Sequence, residues 1–347
     1  MGFRFTRTLG TSVITALVAV GLIVSSTPAQ AIGQSADEIR SALVSQIALE
    51  TGNYRVSVRE LGGSNRTISI GANHAMEPAS SIKLFYAWLT LRKVDAGSLS
   101  LSRRLPSGET WGHCLRVMIE VSDNLCSADI REALGNRFVN RAIAAAGFTD
   151  TRIFLNATGD YAGKESSPAD FTELMARLEA GTLLSAESTT RFHELLLNQV
   201  WRSRIGGGTP VGVVVESKPG ELAVNSRMVE TDVAIVRGSE STFVISIMGE
   251  RNATKPALRR LSRIVYEGLQ GDIGYASATY PNQQYTVSAG TSFRKKYGGS
   301  AIRLSASRNV TVKLTSRMDA YVRIGGMGWG WVPFVRLQLR DAYRWIL

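Results

Sequence analysis

Two side chains in the stretch "EPASSIKLFYAW" have types and spacing that suit nucleophilic catalysis. Ser80 and Lys83 are three residues apart in an apolar, helix-forming run, and residues i and i+3 of a helix share one face. Apolar neighbours on both sides of Lys83 would desolvate its ammonium group, which lowers the pKa of a lysine and suits it to act as a base. A serine hydroxyl needs such a base to become a nucleophile. The pair therefore predicts an activated serine.

The Ser-x-x-Lys spacing has little specificity alone, since Ser292 and Lys295 repeat it near the carboxyl end. Two companion motifs distinguish the first pair from this repeat. The tripeptide "SDN" occurs once, at 122–124, between two predicted helices. The tripeptide "KPG" at 218–220 follows the strand-like run "VGVVVES". We expect folding to bring both tripeptides to the serine.

Ser-x-x-Lys, Ser-Asp-Asn and Lys-x-Gly, in this order, are the motifs of the penicillin-recognising serine enzymes. Residues 33–270 resemble the class A β-lactamase and penicillin-binding-protein superfamily over their whole length, because "FLNA", "SPADFTELMARLEAGTLLS", "VESKPG" and "ETDVAIV" also fall where that family has its equivalents. The resemblance implies an α+β, β-lactamase-like fold, in which an antiparallel sheet is flanked by helices and joined by an all-helical lobe. It also implies a serine amide hydrolase of β-lactamase or DD-peptidase type.

The resemblance assigns a catalytic role to each matching residue. Ser80 would attack the carbonyl carbon, and Lys83 would accept its proton directly or through water. Ser122 would relay a proton to the leaving nitrogen. Asn124 would bind the substrate's side-chain amide, and Lys218 would hold Ser122 and the substrate carboxylate electrostatically.

Further positions are assigned to substrate binding by the same resemblance. The backbone N–H groups of Ser80 and Glu221, the latter directly after Gly220, would form the oxyanion hole. Arg227 lies nine residues after the motif lysine, where many family members keep an arginine for the substrate carboxylate; a surface arginine is the alternative. Asn156 fits the asparagine of the family's Glu-x-x-Leu-Asn box.

That box departs from the family pattern, since Arg152 stands where the family has its glutamate. The family glutamate activates the water that hydrolyses the acyl-enzyme, and an arginine cannot act as a general base. We therefore expect slow or atypical deacylation. Glu165, later in the same loop, is expected to pair with Arg152 and hold the loop.

The "KPG" motif also departs from the family's Lys-Thr/Ser-Gly. Pro219 has no hydroxyl for the substrate carboxylate and no N–H for a sheet ladder, so it is expected at a sheet edge. Glu221 follows with a carboxylate beside the site. Strand alternation would point this carboxylate away from the pocket, or the carboxylate would serve as an unusual water-activating base.

The elements that must position these residues follow from periodicity and turn signals. A capped helix, with Ser35 and Glu38 at capping-box spacing, precedes two strand-like runs joined by "GGSN". Residues 79–181 are mostly helical by pattern. Three strand-like runs and a last helix follow, so the outer segments predict one antiparallel sheet packed with helices, and the middle block predicts a helical lobe.

The chain's ends predict a secreted, modular protein. Residues 1–31 carry a basic start, an apolar run and an A-x-A site, which indicates a signal peptide cut after Ala31, the alternative being an uncleaved anchor. Residues 32–275 are the expected hydrolase domain, and 276–284 a linker. Cys114 and Cys126 would then face an oxidising compartment, where they form a disulfide or remain two buried thiols. Their spacing fits no zinc pattern and the three histidines are scattered, so no metal and no cofactor is expected.

Positive charge is concentrated in the last module, residues 285–347. Residues 284–347 hold eleven Lys and Arg against two Asp, which is nine of the chain's eleven net positive charges. Their short strand-like runs resemble a bacterial Src-homology-3-type barrel that ends in the signature "GWGWVPFVRL". Such modules often bind cell-wall peptides or glycans, and Tyr321, Trp329 and Trp331 are the aromatic candidates, with Trp331 favoured as a core residue. A solubilising surface is the alternative, and no recognition motif supports nucleic-acid binding.

These observations predict a secreted or periplasmic serine hydrolase that forms an acyl-enzyme with β-lactams or D-Ala-D-Ala-like cell-wall amides. The alternative is a weakly catalytic or non-catalytic penicillin- or peptidoglycan-binding protein, carried to the wall by its basic module. The expected partners are the substrate and peptidoglycan or an anionic wall polymer, without nucleic acid and without a membrane span after signal cleavage.

Overall fold

The computed structural model describes residues 1–2, 33–210, 213–271, 284–296, 299–313, 319–333 and 337–339. The predicted signal peptide and the predicted linker thus lie almost entirely outside the described residues. Within these ranges, no helix is both long enough and apolar enough to cross a membrane.

The helices of the described ranges follow the predicted helical runs and add one, α7, that the sequence pattern did not reveal. Their bounds are α1 (Ala36–Ile47), α2 (Lys83–Asp95), α3 (Trp111–Glu120), α4 (Asn124–Leu134), α5 (Asn136–Ala145), α6 (Pro168–Glu179), α7 (Ala186–Leu197) and α8 (Lys255–Gln270). The predicted capping box at α1 is confirmed, because the Ser35 side chain accepts from the Glu38 N–H and the Glu38 carboxylate accepts from the Ser35 N–H.

The strands divide between an amino-terminal and a carboxyl-terminal group. Up to α8 the strands are β1 (Asn53–Leu61), β2 (Thr67–Ile70), β3 (Arg152–Leu155), β4 (Tyr161–Glu165), β5 (Val214–Ser217), β6 (Gly220–Val224), β7 (Arg227–Arg237) and β8 (Thr242–Glu250). After α8 they are β9 (Gln284–Val287), β10 (Ser292–Phe293), β11 (Ile302–Arg303), β12 (Arg308–Lys313), β13 (Asp319–Ile324), β14 (Gly328–Pro333) and β15 (Leu337–Leu339).

The main sheet has the order β2-β1-β8-β7-β5, with β6 also paired to β7, and its pairs are antiparallel. Strands β5 and β6 thus pair with successive parts of β7, and Lys218 and Pro219 lie between these two strands. The Lys218 N–H still donates to the Val233 carbonyl, at 2.9 Å, so Pro219 interrupts an edge strand. The predicted edge position of Pro219 is confirmed.

The sheet is buried on both faces, as the alternation along β7 shows. Val233 and Ile235 belong to one apolar cluster, together with Phe85 of α2, whereas Ala234 and Val236 belong to another. The second cluster also contains α1 and α8 residues, so these helices cover one face and the helical lobe covers the other. This division matches the predicted α+β architecture.

The helical block differs from the prediction in one segment, where β3 and β4 form an antiparallel hairpin. The Asn156 carboxamide oxygen accepts from the N–H groups of Thr158 and Asp160, and Gly159 has a φ of +89°. These contacts close a tight turn that period-based reasoning treats only as loop.

In the carboxyl-terminal region, five strands form an antiparallel sheet in the order β14-β13-β12-β9-β15, and β10 pairs with β11. The predicted all-β character is thus present, whereas closure of these strands into a barrel stays a prediction. Trp329 is 37% exposed, as predicted. Trp331 is half-buried and is not among the buried core residues of the described ranges, so its prediction as a core residue is only partly met. The Tyr321 side chain lies outside the described residues.

Candidate active site

Ser80 lies in a 3-10 turn, Ala79–Ile82, that leads directly into α2. Lys83 is the first residue of α2, and its N–H donates to the Ser80 carbonyl, so the two residues are one turn apart. Ala79 has a φ of +48°, a left-handed conformation that is unfavourable for a side chain with a Cβ. Ser80 is half-buried. The nucleophile candidate thus follows a strained residue.

Two hydroxyl groups that sequence reasoning missed hold this turn on the sheet. The Ser81 hydroxyl donates to the Lys218 carbonyl at 3.0 Å and lies 2.8 Å from the Thr231 hydroxyl. Thr231 on β7 donates to the Pro78 carbonyl at 3.0 Å. All these groups are buried, so their hydrogen bonds keep the turn in one position.

Gly220 brings the edge strand against the backbone of the serine. A Cβ on Gly220 would lie 2.6 Å from the Ser80 backbone nitrogen and 2.5 Å from the Thr231 hydroxyl. Only a glycine allows this approach, which brings the start of β6 against the Ser80 N–H. The arrangement is compatible with the predicted oxyanion hole from the Ser80 and Glu221 N–H groups.

Lys83 is 3% exposed, and its ammonium nitrogen contacts the SDN turn. It donates to the Ser122 carbonyl at 2.7 Å, to the Asn124 carboxamide oxygen at 2.7 Å and to the Ser122 hydroxyl at 3.3 Å. Burial lowers the pKa of Lys83 to about 7, although the nearby Asp123 carboxylate raises it. Burial thus favours the neutral amine, which is the form that can accept a proton.

The SDN turn is held in shape between α3 and α4. Ser122 has a φ of +64°, and the Asp123 carboxylate caps α4 by accepting from the Cys126 N–H at 2.7 Å. Cys114 and Cys126 form a disulfide across the turn, which confirms the disulfide alternative. These constraints aim the Ser122 and Asn124 side chains at Lys83.

Lys218 approaches Ser122 from the opposite side. Its ammonium nitrogen donates to the Ser122 hydroxyl at 2.8 Å and to the Pro219 carbonyl at 2.9 Å, and the residue is fully buried. Burial, followed by the charge of Lys83, lowers the pKa of Lys218, whereas the Asp232 carboxylate raises it. The Ser122 hydroxyl therefore accepts hydrogen bonds from two buried lysines.

Glu221 is directed to the other face of the sheet. Its carboxylate lies 3.1 Å from the Arg204 guanidinium and 2.6 Å from the Lys255 ammonium, at the start of α8. Of the two alternatives for this residue, strand alternation is the one observed, because Gly220 faces Ser80 and the next residue faces α8. A carboxylate bound by two cations is not available as a base.

The loop residues expected from the family box lie on the β3–β4 hairpin. Arg152 and Glu165 are cross-strand partners with an ion pair at 2.6 Å, so the predicted pairing is confirmed. Their side chains are 63% and 23% exposed. Asn156 is exposed in the turn, where its carboxamide oxygen is used by local N–H groups. The structure therefore does not bring Asn156 into contact with the lysine and serine cluster.

Arg227 is exposed at the tip of the β6–β7 hairpin, where it pairs in register with Val224. Asn225 and Ser226, both with positive φ, form the turn between these strands. Three strand residues separate Arg227 from Thr231, so a role in carboxylate binding stays a prediction.

Two buried lysines that share one serine hydroxyl beside a second serine are suited to proton transfer at a serine nucleophile. The model of the beta-lactamase enzyme family matches residues 35–269, which is more than half of the chain. The chain therefore belongs to the beta-lactamase enzyme family, and by class it is a serine β-lactamase-like hydrolase.

Solved structures share this fold. The structure of PBP-A has a TM-score of 0.61 at 20% identity and covers 68% of this chain and 97% of its own. A PBP-A mutant in an acyl-enzyme complex with penicillin G has a TM-score of 0.60 at 20% identity, with the same coverage. A beta-lactamase from Xanthomonas campestris pv. campestris has a TM-score of 0.61 at 17% identity and covers 69% of this chain and 100% of its own. These similarities confirm the β-lactamase-like α+β fold. Among curated proteins, none matches the chain.

Proposed function

We propose that this hydrolase forms an acyl-enzyme at Ser80 with β-lactams or D-Ala-D-Ala-like cell-wall amides and deacylates slowly. The observation that carries the proposal is the Ser122 hydroxyl bound by both Lys83 and Lys218 beside the Ser80 turn. A penicillin G acyl-enzyme of the structural neighbour PBP-A supports a β-lactam as the probe.

The acylation step uses these groups in sequence. Neutral Lys83 takes the Ser80 hydroxyl proton as the serine oxygen bonds to the carbonyl carbon. The amide C–N bond breaks, and the leaving nitrogen takes the Ser122 hydroxyl proton. The Lys83 ammonium, 3.3 Å from the Ser122 oxygen, returns a proton to it. The products are a Ser80 ester and a neutral leaving amine.

Slow deacylation follows from the β3–β4 hairpin. The position where the family has its water-activating glutamate holds Arg152, paired with Glu165. Asp123 caps α4 and Glu221 is bound by Arg204 and Lys255. Glu77, whose carboxylate accepts from the Ala79 N–H, is paired with Lys164. Each of these carboxylates is thus already bound by a cation or an N–H group, which disfavours activation of the hydrolytic water.

A fluorescent penicillin tests the proposal. We expect persistent labelling of the wild-type protein, loss of labelling in Ser80→Ala, and slow turnover of a chromogenic cephalosporin. Unchanged labelling of Ser80→Ala would contradict the assigned nucleophile. Absence of both labelling and turnover would favour the alternative, a non-catalytic binding protein.

We further propose that the chain acts outside the cytoplasm and reaches the cell wall through residues 285–347. The support is the concentration of positive charge there and the exposed Trp329. Co-sedimentation of the full chain with purified peptidoglycan tests this. We expect binding that weakens with salt and in Trp329→Ala, and salt-independent or absent binding would contradict it.

A further inference from the structure

A third lysine of the active-site region, Lys164, comes from the β3–β4 hairpin and has no counterpart among the sequence motifs. Its ammonium nitrogen lies 2.8 Å from the Glu77 carboxylate, and it donates to the Tyr161 hydroxyl at 3.3 Å. The Lys164 side chain is only 13% exposed. The hairpin thus presents a cation inward, whereas the Arg152–Glu165 pair lies nearer the surface.

Glu77 connects this lysine to the nucleophile turn. The carboxylate oxygen that faces Lys164 also accepts from the Ala79 N–H at 2.9 Å, directly before Ser80. Two backbone hydrogen bonds between Met76 and Ser166, at 2.9 and 3.0 Å, join the same two segments. The hairpin is therefore docked on the strained turn, and the Glu77–Lys164 ion pair is part of the contact.

The charge of Lys164 also acts on the base candidate. It lowers the pKa of Lys83, in the same direction as burial. The Asp123 carboxylate of the SDN turn raises the pKa of Lys83, and the charge of Lys83 in turn lowers the pKa of Lys218 on the edge strand. Glu77 is the ion-pair partner of Lys164. The hairpin thus contributes a positive charge, Lys164, and the segment before Ser80 contributes a negative charge, Glu77.

We propose that the Glu77–Lys164 pair is a positioning element for proton transfer at Ser80: the Glu77 carboxylate holds the Ala79 turn directly before the nucleophile, and the two opposite charges of the pair set the electrostatic environment of the base, Lys83. This inference rests on the proposed acyl-transfer function. In this proposal, the hairpin supplies a cation, Lys164, that acts on the base of the acylation step. The family has at the Arg152 position a carboxylate that acts on the water of the deacylation step.

The pH dependence of acylation provides a test with opposite signs. The second-order rate constant of labelling by a fluorescent penicillin should rise with pH as Lys83 loses its proton. We call the rising part of this pH profile the acidic limb. Lys164→Met leaves the Glu77 charge unopposed, so we expect the midpoint of the acidic limb to move to a higher pH by about one unit. Glu77→Gln keeps an oxygen for the Ala79 N–H but removes the negative charge, so we expect a shift down by about half a pH unit.

Two combinations separate charge from structure. The double variant Lys164→Met with Glu77→Gln restores the charge balance, and its acidic limb should return to within about 0.3 pH units of wild type. Lys164→Arg keeps the cation and should also preserve the wild-type limb. A merely structural role would slow labelling in all variants without opposite shifts, and this result would overturn the proposal.

A matched control comes from the exposed ion pair of Arg191 and Glu187 on α7, at 3.5 Å. Arg191→Met and Glu187→Gln make the same charge changes away from the site and should leave the pH profile unchanged.

If a variant labels too slowly, NMR titration of 13C-labelled lysine in the full chain measures the Lys83 pKa directly, and an unshifted pKa would overturn the proposal. If wild-type labelling does not depend on Ser80, the acyl-transfer function fails; if it does and the opposite shifts are absent, only this inference fails.

Discussion

The surroundings of Ser80, here called the nucleophile region, and the β3–β4 hairpin differ in how deeply their polar side chains are buried. Around Ser80, polar groups from α2, the SDN turn and the edge strand meet at the Ser122 hydroxyl and are largely buried. On the hairpin, Arg152 and Glu165 neutralise each other close to the surface, and Asn156 is used by its own turn. The first region concentrates buried polar contacts around the Ser122 hydroxyl, whereas these exposed residues of the hairpin mainly bind one another.

In the proposed function, the groups assigned to acyl-enzyme formation lie mainly in the buried region, whereas the position of the family's water-activating glutamate lies on the exposed part of the hairpin. The nucleophile region keeps its geometry through buried hydrogen bonds, which tolerate few changes because each unpaired group is costly. The Arg152–Glu165 pair of the hairpin lies closer to the surface, and such a pair contributes little stability and so tolerates replacement.

The largest expected effect comes from adding a side chain at Gly220, where the edge strand lies against the backbone of Ser80. In Gly220→Ala the added Cβ meets the Ser80 nitrogen and the Thr231 hydroxyl, so we expect acylation by fluorescent penicillin to fall about 100-fold or more. Gly325→Ala, where the space is open, is the control. Near-normal acylation by a folded Gly220→Ala protein would show that this close contact is dispensable.

A second test removes the cross-link around the SDN turn. The double variant Cys114→Ala with Cys126→Ala releases a loop with a sequence separation of 12 residues, and we expect unfolding to become easier by about 3 kcal/mol. Because the turn that holds Lys83 loosens, acylation should also fall, by roughly tenfold. Denaturant unfolding and labelling rates measure the two effects. A loss of stability with unchanged acylation would assign the disulfide to folding alone.

The smallest effect is expected on the hairpin. Arg152→Glu reintroduces the family's residue type, but the Arg152 side chain is 63% exposed and directed to Glu165. We expect cephalosporin turnover within about threefold of wild type and a loss of stability below about 1 kcal/mol, part of which Glu165→Arg should restore. A turnover increase above tenfold would mean that this position does reach the acyl-enzyme, and the contrast between the two regions would disappear.

The sequence was most informative where the evidence is local. The capping box of α1, the helix after Ser80 and the strand before Lys218 follow from periodicity and cap residues, and the structure confirms them. The hairpin β3–β4 and helix α7 were missed, because a short strand with mixed polarity gives no clear period and a turn such as that at Asn156 is stabilised by its own side-chain contacts.

The candidate site shows the same division. Motif order singled out Ser80, Lys83, Ser122 and Lys218, whereas the direction of the Glu221 side chain had two alternatives until strand pairing placed it toward α8. Glu77 and Lys164 carry no motif at all. Their relation exists only because the hairpin docks on the turn before Ser80.

By itself, the sequence predicted which side chains would act as nucleophile, base and substrate-binding groups. It also determined the order of the elements that carry them and the uneven distribution of charge along the chain. Only the tertiary structure decided which of those side chains share one buried proton network, which carboxylates are already bound by cations, and which cation faces the base. The reason is physical: residue type and period are local properties, whereas desolvation and charge–charge interactions depend on distances between segments that are remote along the chain.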